Sequence, residues 1–371
     1  MKVLFQNCKL IDKYSKHNGS IVDILVDGEL IVKISENIEV DSTYILNDMN
    51  NTYVSAGWID IHTHCFDITT DISIDADKIG VDTGVVCIID AGSSGAGNVD
   101  EFYASICDKK TIVKAWLNIA STGLTDRHEL KNLDNIDVEK TIAKAQEYED
   151  FVVGIKVRAS ASVMSEDLHT PFVKAREVAT EIGKPIMVHI GNYPPTIDDV
   201  LSELKENDII THCYHGKPNG VIHDNEIRET VIAKRLAGLC YDVGHGQESF
   251  CYEVAKKAIA LGFKPDTISS DLHKYSYEKP VHSLSNVMTK MLSLTSLEEV
   301  IYYVTGGAAK VANLTGFGHL SVGEKANITF FNVEHKEILL VDSMNETINI
   351  TEVIQPRACV VNGKYWEVTK W

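Results

Sequence analysis

The sequence predicts an α/β protein, a (β/α)8 TIM barrel joined to a small β-sandwich domain assembled from both chain ends. Apolar strands alternate with amphipathic helices through the middle of the chain, and that order means parallel strands with crossover helices. Eight such strands spread over about 260 residues match the usual size of a barrel. The two ends have another character, short strands and turns, which joins them in one domain. An open doubly wound sheet is the rival, but no G-x-G-x-x-G follows the first strand of the middle region.

The ends come first. Ile21–Gly28 is a β-rich run closing on an Asp-Gly turn, residues 327–333 alternate, and residues 358–364 read as a strand entering a hairpin. The expected small domain is residues 1–52 with 320–371, flanking a barrel of residues 53–319. Barrel strands are expected at 58–64, 84–91, 112–120, 152–158, 185–190, 208–213, 238–243 and 267–271. Helical stretches separate them, for example 170–182, 196–205 and 249–261. Most strands are apolar enough to be buried on both faces.

Composition narrows the class. The chain has 371 residues, 44% of them hydrophobic, enough for a large core. Its net charge of −18, from 53 acidic and 35 basic residues, disfavours nucleic acid and anionic membranes as partners. Eight cysteines are scattered with no C-x-x-C, a pattern suited to a reducing compartment. The first residues lack the apolar core of a signal peptide, and no apolar run approaches a membrane span. A cytoplasmic protein is expected, and a homo-oligomer is compatible with this surface.

The chemistry concentrates at strand ends. In Asp60-Ile61-His62-Thr63-His64, strand periodicity points His62 and His64 to one face, with Asp60 beneath them. Two imidazoles on one rigid strand make a half-site for a cation such as Zn2+; the pair alone also reads as two polar residues at a strand end. Later strands end in Asp90, Lys156 and Arg158, His189, His212, Asp242 and Asp271. Each imidazole alone reads as a satisfied core or loop histidine. Together they lie where barrel enzymes gather catalytic groups, and one metal centre explains several at once. Lys156 is unexpected there, because an ammonium repels a cation. Burial makes a lysine neutral, and a neutral amine adds CO2 to give a carbamate, an oxygen ligand able to bridge two metals.

These phrases resemble the amidohydrolase superfamily, in particular its binuclear-metal, dihydroorotase- and hydantoinase-like branch. The likeness rests on Asp60-x-His62-x-His64, Gly154–Ser160, Val188-His189, Thr211-His212-Cys213 and Ser270–His273, and it spans almost the whole chain. Residues 318–327 resemble the family's return into the small domain, with Asn327 where the family usually has Asp. Residues 156–160 and 242–246 are similar to a bacterial subgroup of acyl-removing amidohydrolases often labelled dihydroorotase or adenine deaminase. The resemblance implies one metal held by His62, His64, carbamylated Lys156 and Asp271, and a second held by Lys156, His189 and His212. It also implies a bridging hydroxide, with Asp271 as the catalytic proton shuttle.

Substrate contacts are expected from Arg158, Tyr193, His215, His245 and His273. Arg158 leaves its strand on the side of Lys156, which suits either a substrate carboxylate or an ion pair with a loop carboxylate. Each of the other four reads equally as a polar loop residue. Cys65 and Cys213 are turned away by strand parity. The expected activity is metal-dependent hydrolysis of an amide or ester, removing an acyl group from a small carboxylate-bearing molecule. The alternatives are a cyclic-amide hydrolase, an adenine deaminase, and a non-catalytic scaffold; a scaffold would have lost ligands, and none of the expected set is missing.

Overall fold

The computed structural model describes residues 2–50 and 52–369. Residues 1, 51, 370 and 371, at the edges of the expected small domain, lie outside the described residues.

Seven parallel strands form the central sheet: β1 (Trp58–Thr63), β2 (Val85–Gly95), β3 (Ile112–Asn118), β4 (Val152–Ala159), β5 (Ile186–Ile190), β6 (Ile209–Thr211) and β7 (Cys240–Asp242). Each pairs with its sequence neighbour. Helix Thr170–Ile182 runs between β4 and β5 and helix Tyr252–Ala260 follows β7, and Val157, Val178, Val188 and Ala255 pack in one apolar layer outside the sheet. The opposite side holds Ile59, Cys87, Ile89, Trp116, Met187 and Ile209, capped by helix Gly306–Val311.

The expected eighth strand is not regular. Segment 267–272 is tied to β7 by a bridge between Asp242 and Thr267, and to β1 by a bridge between Thr63 and Leu272. Its backbone donates from Asp271 N to His62 O at 2.7 Å and accepts at Leu272 O from His64 N at 2.9 Å. Ser270 N donates instead to the Asp60 carboxylate at 3.0 Å, which interrupts the ladder. Asp271 has φ 50°, a left-handed conformation that no strand continues through. The sheet thus curls until its first and last strands meet on this segment, the barrel-like closure expected.

The chain ends build a separate eight-stranded sheet. Its order is 364–367, 347–361, 328–341, 53–56, 2–10, 21–27 and 30–35, with 45–48 added beside 2–10. Tyr53–Ala56, just past the boundary expected at residue 52, pairs with both 2–10 and 328–341, and Val54 and Ala56 sit in this sheet's own apolar cluster. The sheet rolls on itself. Phe5 and Tyr365 lie on strands four places apart, roughly 19 Å in a flat sheet, yet their rings are 6.0 Å apart. Strands 328–341 and 347–361 also form a long hairpin whose tip reaches the loop after β7.

Candidate active site

The barrel mouth gathers the strand-end residues in a cavity of about 270 Å3, the small end of the range for ligand sites. Between Asp60 and Thr63 the pairing of β1 with β2 slips by one residue. Ile59 and Ile61 belong to the barrel-interior cluster, while His62 and His64 line the cavity. Asp60, expected beneath the histidines, accepts from His62 N at 3.4 Å and from Ser270 N of the closing segment at 3.0 Å. Burial pushes its carboxyl up to about 7.

His62, His64 and Asp271 form a group able to hold a metal ion, their ligand atoms all within 4.8 Å of one another. Asp271 Oδ1 is 3.4 Å from His62 Nε2 and 3.2 Å from His64 Nε2. Lys156 Nζ lies 3.2 Å from His62 Nε2, His189 Nδ1 lies 2.7 Å from His212 Nε2, and Asp271 Oδ2 lies 4.0 Å from His212 Nε2. All six expected ligands are therefore brought together.

Three of the four remaining ring nitrogens are committed. Asp242 accepts from the hydroxyls of Thr211, Thr267 and Ser269 at 2.7, 2.7 and 2.6 Å. Thr211 spends its proton on Asp242, so it accepts from His62 Nδ1 at 2.9 Å. That leaves the Nε2 lone pair facing the cavity. His64 Nδ1 meets Ser93 Oγ at 2.9 Å, and His212 Nδ1 donates to Gly244 O at 2.6 Å, freeing Nε2 in the same way. The donor set fits a soft or borderline divalent cation: imidazoles, one carboxylate and one amine.

Electrostatics agree with that composition. Burial depresses His62 and His189 well below the usual imidazole range and His212 to about 3, so each is neutral at neutral pH. Burial lowers Lys156 to about 7, against the pull of Asp271. Burial raises Asp271, but the facing imidazoles of His62, His64 and His212 outweigh it and hold the carboxylate ionised. The backbone is constrained here too. His212 has φ 73°, and both it and Asp271 occupy conformations that cost a non-glycine residue energy. A Cβ on Gly244 (φ 48°) would collide with Thr211 Oγ1 and His212 Nδ1, and one on Gly246 (φ 55°) with Asp271 Oδ2. Those glycines let the β7 loop lie directly against His212 and Asp271.

The expected substrate residues divide. Arg158 and His273 line the cavity. Arg158 Nη1 also bonds buried Glu129 at 3.1 and 3.3 Å, the loop-carboxylate pairing foreseen for it. Tyr193, His215 and His245 are not brought in. Tyr193 is 65% exposed. His215 is buried, with Nδ1 accepting from Lys217 N at 3.1 Å. His245 stacks on Phe250 at 4.5 Å and takes a hydrogen bond from buried Lys290 at 2.9 Å. Strand-end spacing could not see these loop geometries. It also missed Arg127, Asn192, Lys217, Gln247, Glu248 and Tyr275, which complete the wall. Their one signal was position, in loops following strand ends.

A parallel barrel with buried imidazoles and a carboxylate at its mouth defines a barrel hydrolase. Residues 53–365 match the model of the amidohydrolase family, and the chain belongs to that family. It is 34% identical to a deacetylase of Enterococcus faecalis over 355 residues, covering 94% of this chain and 96% of that one. Among solved structures it resembles an adenine deaminase (TM-score 0.93, 33% identity, 98% and 99% of the two chains). It also resembles a dihydroorotase (TM-score 0.92, 31% identity, 100% and 98%). No helix among the described residues is long and apolar enough to cross a membrane.

Proposed function

We propose that the protein is a deacylase that hydrolyses the amide, or the related ester, joining a small acyl group to a carboxylate-bearing molecule. The observation that carries this reading is the convergence of four imidazoles, Lys156 and Asp271 at one small cavity whose rim bears Arg127, Arg158 and Lys217. The deacetylase name of the Enterococcus faecalis relative supports it. His62, His64, Lys156 and Asp271 would hold one divalent cation, and Lys156, His189 and His212 a second. Zinc suits the nitrogen-rich set, and Lys156, once carbamylated, would supply oxygen ligands to the cations. When bound, the two cations polarise the scissile carbonyl and supply a nucleophilic water at neutral pH.

The chain's own residues do the rest. Asp271 Oδ1 faces His62 and His64, so Oδ2 is the atom that takes the proton of the attacking water. The same atom returns it to the leaving nitrogen or oxygen as the C–N or C–O bond breaks, releasing a carboxylic acid and an amine or alcohol. Arg158 keeps donors beyond those Glu129 engages, since a guanidinium has about five N–H groups, and it pairs the substrate carboxylate. The eight free thiols suit a cytoplasmic enzyme.

The likeness to the dihydroorotase structure favours a second reading, cyclic-amide hydrolysis by the same residues. Zinc-loaded protein assayed on N-acyl amino acids, O-acyl hydroxy acids, dihydroorotate, hydantoins and adenine separates them. Turnover of acylated acids alone supports the proposal, and turnover of the cyclic amides alone replaces it.

A further inference from the structure

The tip of the long terminal hairpin is bonded to one stretch of the cavity wall at both ends of that stretch. Ser343 Oγ donates to Gly246 O at 2.9 Å and accepts from Phe250 N at 3.2 Å. Ser343 N donates to Phe250 O at 3.0 Å, and Asp342 accepts from Tyr252 N at 2.9 Å. Asp342 is buried, and it also takes the amides of Met344 and Glu346 at 2.8 and 3.0 Å, which fixes the turn itself. Between the bonded points stand Gln247, Glu248 and Ser249, which line the cavity. On the far side Lys290 donates to His245 Nε2, so the ring proton sits on Nδ1 and is given to Gly246 O at 2.9 Å. The Gly246 carbonyl is therefore held twice, and Gly246 lies directly against Asp271.

From these contacts we infer that Ser343 and Asp342, from the chain-end sheet, are positioning residues for the substrate-facing wall 247–249. The hairpin tip sets where that wall stands, and hence which molecules the cavity accepts. That role in selection rests on the deacylase reading; the mechanical coupling does not. Without the Ser343 hydroxyl, Phe250 N loses its acceptor and Gly246 O one donor, so 246–252 is freed to open locally.

Hydrogen exchange read by mass spectrometry on the whole chain tests the coupling without any need for turnover. In Ser343→Ala, exchange across 246–252 should quicken about fivefold to tenfold, with β1, β4 and zinc content unchanged. Ser343→Thr keeps the hydroxyl and should restore protection; Asp342→Ala should loosen Tyr252 separately. For the best substrate of the acyl panel, Ser343→Ala should raise KM while kcat stays within about threefold. Unchanged exchange in both Ser343→Ala and Asp342→Ala overturns the inference, as does faster exchange with an unmoved KM. If the wild-type protein turns over nothing in the panel, the deacylase reading fails, and exchange alone decides the positioning.

Discussion

The two halves of the cavity are built by different rules. On one side His62, His64, Lys156, His189 and His212 end regular strands or directly follow them, and three of the four imidazoles have their second nitrogen tied down. On the other side Arg127, Lys217, Gln247, Glu248 and Tyr275 stand on loops, and part of that wall is held by a hairpin from nearly a hundred residues further along the chain. The difference teaches where each property resides. Reactivity is set by the strand-borne half, whose geometry a rigid sheet fixes, and selection by a half that other elements must hold in place.

The largest effect should follow from breaking the strand-borne half at its centre. Lys156→Ala should lower turnover by about a thousandfold or more and reduce bound metal, with partial recovery on adding short carboxylic acids. Elemental analysis and rescue kinetics check both. Full metal occupancy with normal turnover would remove Lys156 from the centre. Asp271→Asn should keep most of the metal and lose about a hundredfold to ten-thousandfold in kcat. Near-normal turnover in that variant would assign the proton to another group.

The same contrast explains what the sequence revealed. Strand periodicity marked five of the six expected ligand positions because each stands in or beside a regular strand, where parity decides direction, whereas Asp271 lies on the irregular closing segment. It failed at the eighth strand, where a carboxylate of the neighbouring β1, 210 residues away in sequence, takes the Ser270 amide. It placed Tyr193, His215 and His245 at the substrate because proximity to a ligand in sequence says nothing of how a loop turns. The hairpin bonds of Ser343 were beyond any local reading, since they join residues 93 apart.

Thr211 sharpens the comparison from behind the ligands. Thr211→Val removes the acceptor for His62 Nδ1 and one donor to Asp242, while keeping side-chain volume. Zinc affinity should fall by about tenfold to a hundredfold, measured by competition with a chromophoric chelator. An unchanged affinity would mean that the orientation of His62 depends on the strand alone. On the loop-facing side, Arg158→Met should raise KM for the acid by roughly thirtyfold, the low end for a charge pair because the guanidinium is partly exposed. KM for the matching neutral amide should barely change. Equal losses for both would make Arg158 the structural partner of Glu129 alone.

The smallest effect is thermodynamic, and it probes the support of the loop half. Lys290 is fully buried against His245 Nε2 and Pro280 O, and burial lowers its amine to about 7, with Asp342 pulling the other way. An amine with both an N–H to donate and no charge satisfies this site. Its pKa in the unfolded chain is the ordinary 10.5. Between about pH 7 and that value the unfolded chain holds a proton that the folded chain has released, so stability rises with pH there. The slope from one such group is at most about 1.4 kcal/mol per pH unit. Lys290→Met removes it, so the difference in unfolding free energy between wild type and variant should grow in the wild type's favour from pH 7 to 9.5. Urea unfolding at matched ionic strength reads this directly. Curves that stay parallel across the window would mean that Lys290 keeps its charge in the fold, and that His245 is held by an ammonium.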